Sequence, residues 1–254
     1  MQIHGKLSYK GILSFMLYNK QTRYYREIKT YLRVARIDHW FKNIFLLAGS
    51  LMALLCPPNG LPSLRTFFVR TSLAFFLACL ASSANYIINE ILDAPYDKHH
   101  PTKRFRPIPA GIIKSGRLWG VAALFCVSSL GIAYIAMPIQ FFLSILFLLI
   151  MGIIYNVPPV RTKEVAYLDI VTESINNPIR LFMGWYAVTT AYPPPLTLVL
   201  SYWAFGAFLM TAKRYAEYRF IKKPDIAAAY RLSFRKYNEE NLLIMMICYI
   251  ALTM

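Results

Sequence analysis

Asn89-Glu90-Ile91-Leu92-Asp93-Ala94-Pro95-Tyr96-Asp97 closes an apolar run that begins at Phe67. A stretch composed for lipid thus finishes in an amide and two carboxylates, spaced four and four. Neighbours four apart share a helix face. At about 1.5 Å of rise per residue, the three oxygen-bearing side chains span roughly 12 Å. Carbonyl and carboxylate oxygens are what Mg²⁺ accepts, and Mg²⁺ commonly shares its shell with substrate phosphates. Acids near membrane depth are costly to place and point to function. The stretch therefore predicts an all-helical membrane protein with a metal and phosphate site where this helix ends, Pro95 being placed to kink or end it.

The rest of the chain agrees. Its 254 residues are 57% hydrophobic and 16% charged, with a mean hydropathy of +0.42. About 20 apolar residues cross a bilayer, and seven runs approach that length: 40–56, 67–92, 118–137, 139–157, 166–188, 194–212 and 241–254. Ile139 to Ile154 is apolar all round, unlike the amphipathic helices of soluble proteins. The last run, Asn241 to Met254, has only fourteen residues, which suggests an incomplete final span and a chain that is a fragment. Two units are expected: a basic segment over 1–38, either interfacial or a solvated cytoplasmic leader, and a transmembrane bundle over 39–254.

The net charge of +16 alternates along the chain. Of 28 Lys and Arg, eight precede Trp40, six lie between Asp93 and Trp119, two in 158–165 and eight in 213–236. The intervening loops hold one, Arg65. By the positive-inside rule, the N-terminus and every basic loop face the cytoplasm, in the cell membrane. Charge that alternates with spans argues against nucleic acid as the partner. Cys56, Cys79, Cys126 and Cys248 sit in apolar runs without paired spacing, as small hydrophobes do. His4, His39, His99 and His100 form no metal motif. The short apolar stretch Gly11 to Leu17 has no cleavage pattern of a signal peptide.

The distinctive polar residues fall on the expected cytoplasmic side. Past Asn89, Asp93 and Asp97 come Lys103, Arg104 and Arg106, cations suited to phosphate beside an acid-held ion. Pro107, Pro109 and Gly111 would shape that loop. Next come Tyr155, Pro158-Pro159, Arg161 and Lys163, then Asp169 and Glu173 inside an apolar run with Arg180 further on. Either an acid there pairs with Arg180, or the three line a polar cavity. Ala212-Lys213-Arg214-Tyr215-Ala216-Glu217 ends the sixth run with two cations and one acid, which fits a second phosphate wall better than a second metal site. Lys42, beside the interfacial Trp40, either anchors there or reaches the same pocket.

Together these clusters resemble the UbiA superfamily of intramembrane prenyltransferases. Asn89, Asp93 and Asp97 resemble its first acid-rich motif, and Tyr155 to Lys163 its tyrosine-then-lysine loop. Trp40-Phe-Lys42-Asn43, His100-Pro-Thr-Lys-Arg-Phe-Arg-Pro107 and Lys213-Arg-Tyr-Ala-Glu217 resemble its decaprenyl-phosphate phosphoribosyltransferase-like branch, whereas Pro158-Pro159 and Lys163 look more like ordinary prenyltransferases. The likeness covers about Arg33 to Tyr237. It implies a bundle of nine membrane helices around a central cavity, of which this chain would stop within the seventh. It also implies transfer of 5-phosphoribose from phosphoribosyl diphosphate to a polyprenyl phosphate. Asn89, Asp93 and Asp97 would then hold Mg²⁺ on the leaving diphosphate, with Asp169 either orienting the ribose hydroxyls or stabilising a cationic ribosyl centre. Lys42, Lys103, Arg104, Arg106, Tyr155, Arg161, Lys163, Arg180, Lys213, Arg214 and Glu217 would bind substrate. Two rivals remain: a prenyltransferase moving a prenyl group from a prenyl diphosphate to an aromatic or other small acceptor, and a non-catalytic lipid or anion transporter.

Overall fold

The computed structural model describes residues 27–55, 62–221, 229 and 231–254. Much of the expected 1–38 segment, Cys56 and part of the 213–236 basic loop lie outside these. Residues 27–34 are helical, and Val34 and Ala35 pack with Ile87, Leu118 and Ala122. This end of the expected basic segment is thus part of the bundle.

Helix α1 (Phe45–Leu55) is entered through a 3₁₀ helix, Ile37–Ile44. Helices α2 (Leu64–Asp97), α3 (Ser115–Ala136) and α4 (Ile139–Asn156) follow as long apolar rods. Two short helices, α5 (Leu168–Ser174) and α6 (Asn176–Val188), precede α7 (Leu196–Ile221) and α8 (Glu239–Ala251). Among the described residues, α2, α3, α4 and α7 are each long and apolar enough to cross a membrane. Leu124, Val127 and Ile135 on α3 and Leu143 and Ile153 on α4 point outward, the distribution expected where lipid is the solvent. The protein is an integral membrane helix bundle.

Two of the seven expected spans differ in form, and the last is short as expected. Residues 40–56 begin as 3₁₀ helix. Residues 166–188 break at Ile175, where polar side chains compete for the backbone: Ser174 Oγ donates to Val171 O at 2.8 Å and Asn176 Nδ2 to Glu173 O at 3.0 Å. Such bonds offer an alternative to the helical ladder, and Pro178 in the first turn of α6 lacks an N–H. The last span is thirteen residues of helix.

Helix α2 carries the site. Ser63 caps it, accepting from Thr66 N at 3.2 Å. Its 34 residues reach about 51 Å at 1.5 Å each, well past the roughly 30 Å of hydrocarbon, so its final turns stand clear of the lipid core. Pro95 lies inside the helix without ending it. Small residues let α1 and α6 touch backbone to backbone. A β-carbon on Gly49 would fall 2.1 Å from Leu181 O, and one on Gly184 1.9 Å from Leu46 O. Ser50 Oγ donates to Gly184 O at 3.0 Å. This is the small-residue packing that membrane helices favour.

Candidate active site

The C-terminal ends of α2, α4 and α7 and the N-terminal ends of α1 and α6 meet around a cavity of about 610 Å³. Helix C-termini carry partial negative charge, and the lining offsets it heavily. Among the described residues, Arg36, Lys42, Lys103, Arg106, Arg180, Lys213, Arg214 and Arg231 face the cavity against Asp93, Glu173 and Glu217.

On the α2 wall, Asn89 and Asp93 reach the cavity. The 157–163 loop braces them from behind. Lys163 Nζ donates to Asp93 Oδ1, to Asn89 Oδ1 at 3.2 Å and to Asn156 Oδ1 at 2.9 Å. Arg161 Nη2 donates to the same Asp93 Oδ1 at 3.1 Å, and its guanidinium lies over the Tyr96 ring. Arg161 achieves this at φ 32, ψ 57, a left-handed conformation that costs of order 1–3 kcal/mol outside glycine and marks functional loops. Burial pushes the Lys163 ammonium down to about 8, against the pull of Asp93.

Asp97 does not join this wall. Four residues exceed one 3.6-residue turn, so each step of four overshoots by about 40° and Asp97 sits roughly 80° round from Asn89. It is fully buried, and its Oδ2 accepts from Arg106 Nη1 at 2.6 Å, steadying a cation that does reach the cavity.

The α7 wall is built from Lys213, Arg214 and Glu217. Arg214 is locked in place: Nε donates to Asp169 Oδ2 at 2.8 Å, Nη2 to the Tyr155 hydroxyl at 2.9 Å and Nη1 to Glu217 Oε2 at 3.3 Å. Glu217 Oε1 takes Lys103. Asp169 is fully buried, accepts from the Tyr237 hydroxyl and has Arg231 Nη1 at 3.6 Å. It stands behind Arg214 rather than at the cavity, so the ribose-orienting place expected for it is not there. Of the two readings left open for Asp169, Glu173 and Arg180, Glu173 and Arg180 line the cavity, while Asp169 is held by Arg214 and does not pair with Arg180. Arg180 Nε donates to Asn43 Oδ1 at 2.9 Å and Nη1 to Asn176 O at 3.0 Å. Asn43 in turn donates to Cys79 Sγ at 3.3 Å, giving that thiol a polar partner.

Lys42 and Lys213 face the cavity with no hydrogen-bonded or ion-paired partner among the described residues. Arg104 stands apart, exposed, over the Phe105 ring at 4.8 Å. Sequence reasoning passed over Arg36, Tyr86, Asn177 and Arg231, which also line the cavity, and His100. His100 is 3% exposed; its Nδ1 accepts from Thr102 N and Lys103 N at 3.2 Å, and its Nε2 lies 3.6 Å from Glu217 Oε1. It ties the Lys103 loop to α7. Its burial beside an acid is a three-dimensional fact, without a spacing signal.

Among the described residues, no three His, Cys, Asp or Glu side chains gather as a metal site. Asn89 and Asp93 nonetheless offer hard oxygens at the wall of a cationic cavity. That pair suits a Mg²⁺ ion which takes one or two protein oxygens and completes its shell with water and phosphate.

Fold and site together define an all-helical membrane protein with a cation-lined chamber at one end of its bundle. The chain belongs to the UbiA prenyltransferase family, which it matches over residues 45–254. It is 31% identical over 218 residues to decaprenyl-phosphate phosphoribosyltransferase of Mycolicibacterium smegmatis, covering 83% of this chain and 63% of that one. The Mycobacterium tuberculosis protein of the same name is 32% identical over 215 residues, covering 83% and 66%. The chain therefore spans less than two thirds of the length of either relative. A UbiA homolog from Archaeoglobus fulgidus, solved bound to DMAPP and Mg²⁺, matches with a TM-score of 0.69 at 22% identity over 88% of this chain and 75% of that one, a likeness of fold.

Proposed function

We propose that this chain moves 5-phosphoribose from phosphoribosyl diphosphate to a polyprenyl phosphate at the cytoplasmic face of the cell membrane. The cavity carries the proposal: among the described residues, eight Lys and Arg side chains face three acids, an excess suited to a donor with both a diphosphate and a separate phosphate. Relatives named as phosphoribosyltransferases support the same reading.

Asn89 and Asp93 would hold Mg²⁺, which when bound neutralises charge on the departing diphosphate. Lys42 and Lys213, without hydrogen-bonded or ion-paired partners among the described residues, are placed to meet phosphate oxygens, and Arg180 and Arg214 present fixed donors to them. Phe41, Phe45, Leu209 and Met210 give the cavity an apolar margin for the first units of the lipid chain. The lipid phosphate oxygen attacks the anomeric carbon, a new C–O bond forms, the bond to diphosphate breaks and diphosphate leaves. The attacking oxygen is already anionic, so it needs little general-base help, and the cations serve to position it. Asp97 and Asp169 act through Arg106 and Arg214 as positioning residues.

Membranes bearing the chain are to be incubated with labelled phosphoribosyl diphosphate, polyprenyl phosphate and Mg²⁺. A labelled lipid is expected. Prenylation of an aromatic acceptor from a prenyl diphosphate, with no labelled lipid, would replace the proposal by the first rival. Saturable ligand binding without any product would replace it by a transporter.

A further inference from the structure

Lys163 is a cation enclosed by oxygen. An ammonium has three donors and no acceptor, and all three are used, on Asn89 Oδ1, Asn156 Oδ1 and Asp93 Oδ1. The residue is 3% exposed. Two of these oxygens belong to the pair assigned above to Mg²⁺. These oxygens keep further lone pairs, but a divalent ion on the same two side chains would sit close to the ammonium, and the two charges repel strongly in a partly dry site.

We infer that Lys163 is a built-in occupant of the metal position, which the ion must displace and which then becomes a free ammonium for the incoming diphosphate. The inference rests on the reading that Asn89 and Asp93 hold the ion. The four-carbon lysine stem is flexible enough to swing without the loop refolding, while Arg161, whose delocalised charge is shared with Glu164 Oε1 and lies over the Tyr96 ring, stays beside Asp93 as a brace. Metal alone must expel a satisfied buried charge and so binds weakly. Metal arriving with a diphosphate binds well, because the anion gives the expelled ammonium a new partner. Ion and donor entry are thereby coupled, and Asp93 stays neutralised between turnovers.

The test is Mn²⁺ titration of the purified full chain in lipid nanodiscs, followed by electron paramagnetic resonance without substrate. Lys163→Met is expected to raise Mn²⁺ affinity roughly tenfold or more. Arg161→Met is the control: it removes the same charge from the same Asp93 atom but leaves the ammonium in place, and the expected gain is less than about threefold. Equal gains would reduce the effect to net charge and overturn the inference. A second readout needs no variant. Amine labelling of Lys163 in the unmodified chain, read by mass spectrometry, is expected to rise on adding Mg²⁺, and unchanged labelling would overturn the displacement. Asp93→Asn separates the two levels. If it binds Mn²⁺ as the unmodified chain does, the metal assignment itself fails. If Mn²⁺ binding needs Asp93 but ignores Lys163, only the present inference fails.

Discussion

The two walls of the cavity are finished differently. On the α2 wall the carboxylate facing the cavity, Asp93, is already held by Lys163 and Arg161 from a loop. Elsewhere around the cavity, Lys42 and Lys213 face the same space without hydrogen-bonded or ion-paired partners among the described residues. Asp93, like Glu217, thus arrives neutralised while part of the cationic surplus is left open. A site for a metal-bridged polyanion needs this asymmetry. Unbraced acids would repel the substrate, and fully paired lysines would have no charge to offer it. The difference also separates cations that support the site from cations that bind.

Substitutions can break the comparison at either wall. The largest effect is expected at Asp93. Asp93→Asn in correctly inserted protein should lower turnover by about 10³-fold or more, as losing a ligand that positions a catalytic ion does, and chelation of divalent ions should do the same to the unmodified chain. Substantial activity after either treatment would remove the metal from the α2 wall. Next comes Arg214→Met, which leaves Asp169 buried beside fewer cations. Stripping one partner from a buried pair costs about 3–5 kcal/mol, so this variant should melt early. Its neighbour provides the contrast. Lys213→Met, and likewise Lys42→Met, should leave the melting temperature unchanged while kcat/KM falls about 10- to 100-fold, the loss of one charge-assisted hydrogen bond to phosphate. If Lys213→Met destabilises as much as Arg214→Met, the division between supporting and binding cations fails. Arg104→Ala, outside the cavity, should change activity by less than about twofold.

Legibility in the sequence followed the same divide. Apolar run length located the four long spans, because lipid imposes one length rule. It missed the break at Ile175, which is set by local hydrogen bonds of Ser174 and Asn176. Spacing of four brought Asn89 and Asp93 to one face but carried Asp97 off it, since four residues overrun a turn. Residue type found Lys42, Lys103, Arg106, Lys213 and Arg214 at the cavity. It could not tell Asp169, buried behind Arg214, from an acid at the wall, nor reveal that Lys163 turns its charge onto Asp93. Arg231 reaches the cavity through a fold-level approach that leaves no local pattern.

The smallest effect expected is a pH dependence carried by Lys103. Burial lowers its ammonium to about 8, with Glu217 pulling the other way and Arg231 and Arg106 adding to the fall. The lysine is a cation below that value and neutral above it, so a phosphate loses one positive contact as pH rises through 8. At one unit above, about nine tenths of it is deprotonated in the free protein. KM for the phosphorylated donor should therefore climb several-fold between pH 7 and 9, up to about tenfold, with less change in kcat. A bound phosphate favours the charged form and so opposes the loss, which makes donor binding at pH 8.5 accompanied by proton uptake, measurable by calorimetry in buffers of different ionisation enthalpy. Lys103→Arg keeps the charge throughout this range and should flatten the KM profile. A profile equally steep in Lys103→Arg would move the titration to another group and leave Lys103 as a partner of Glu217 alone.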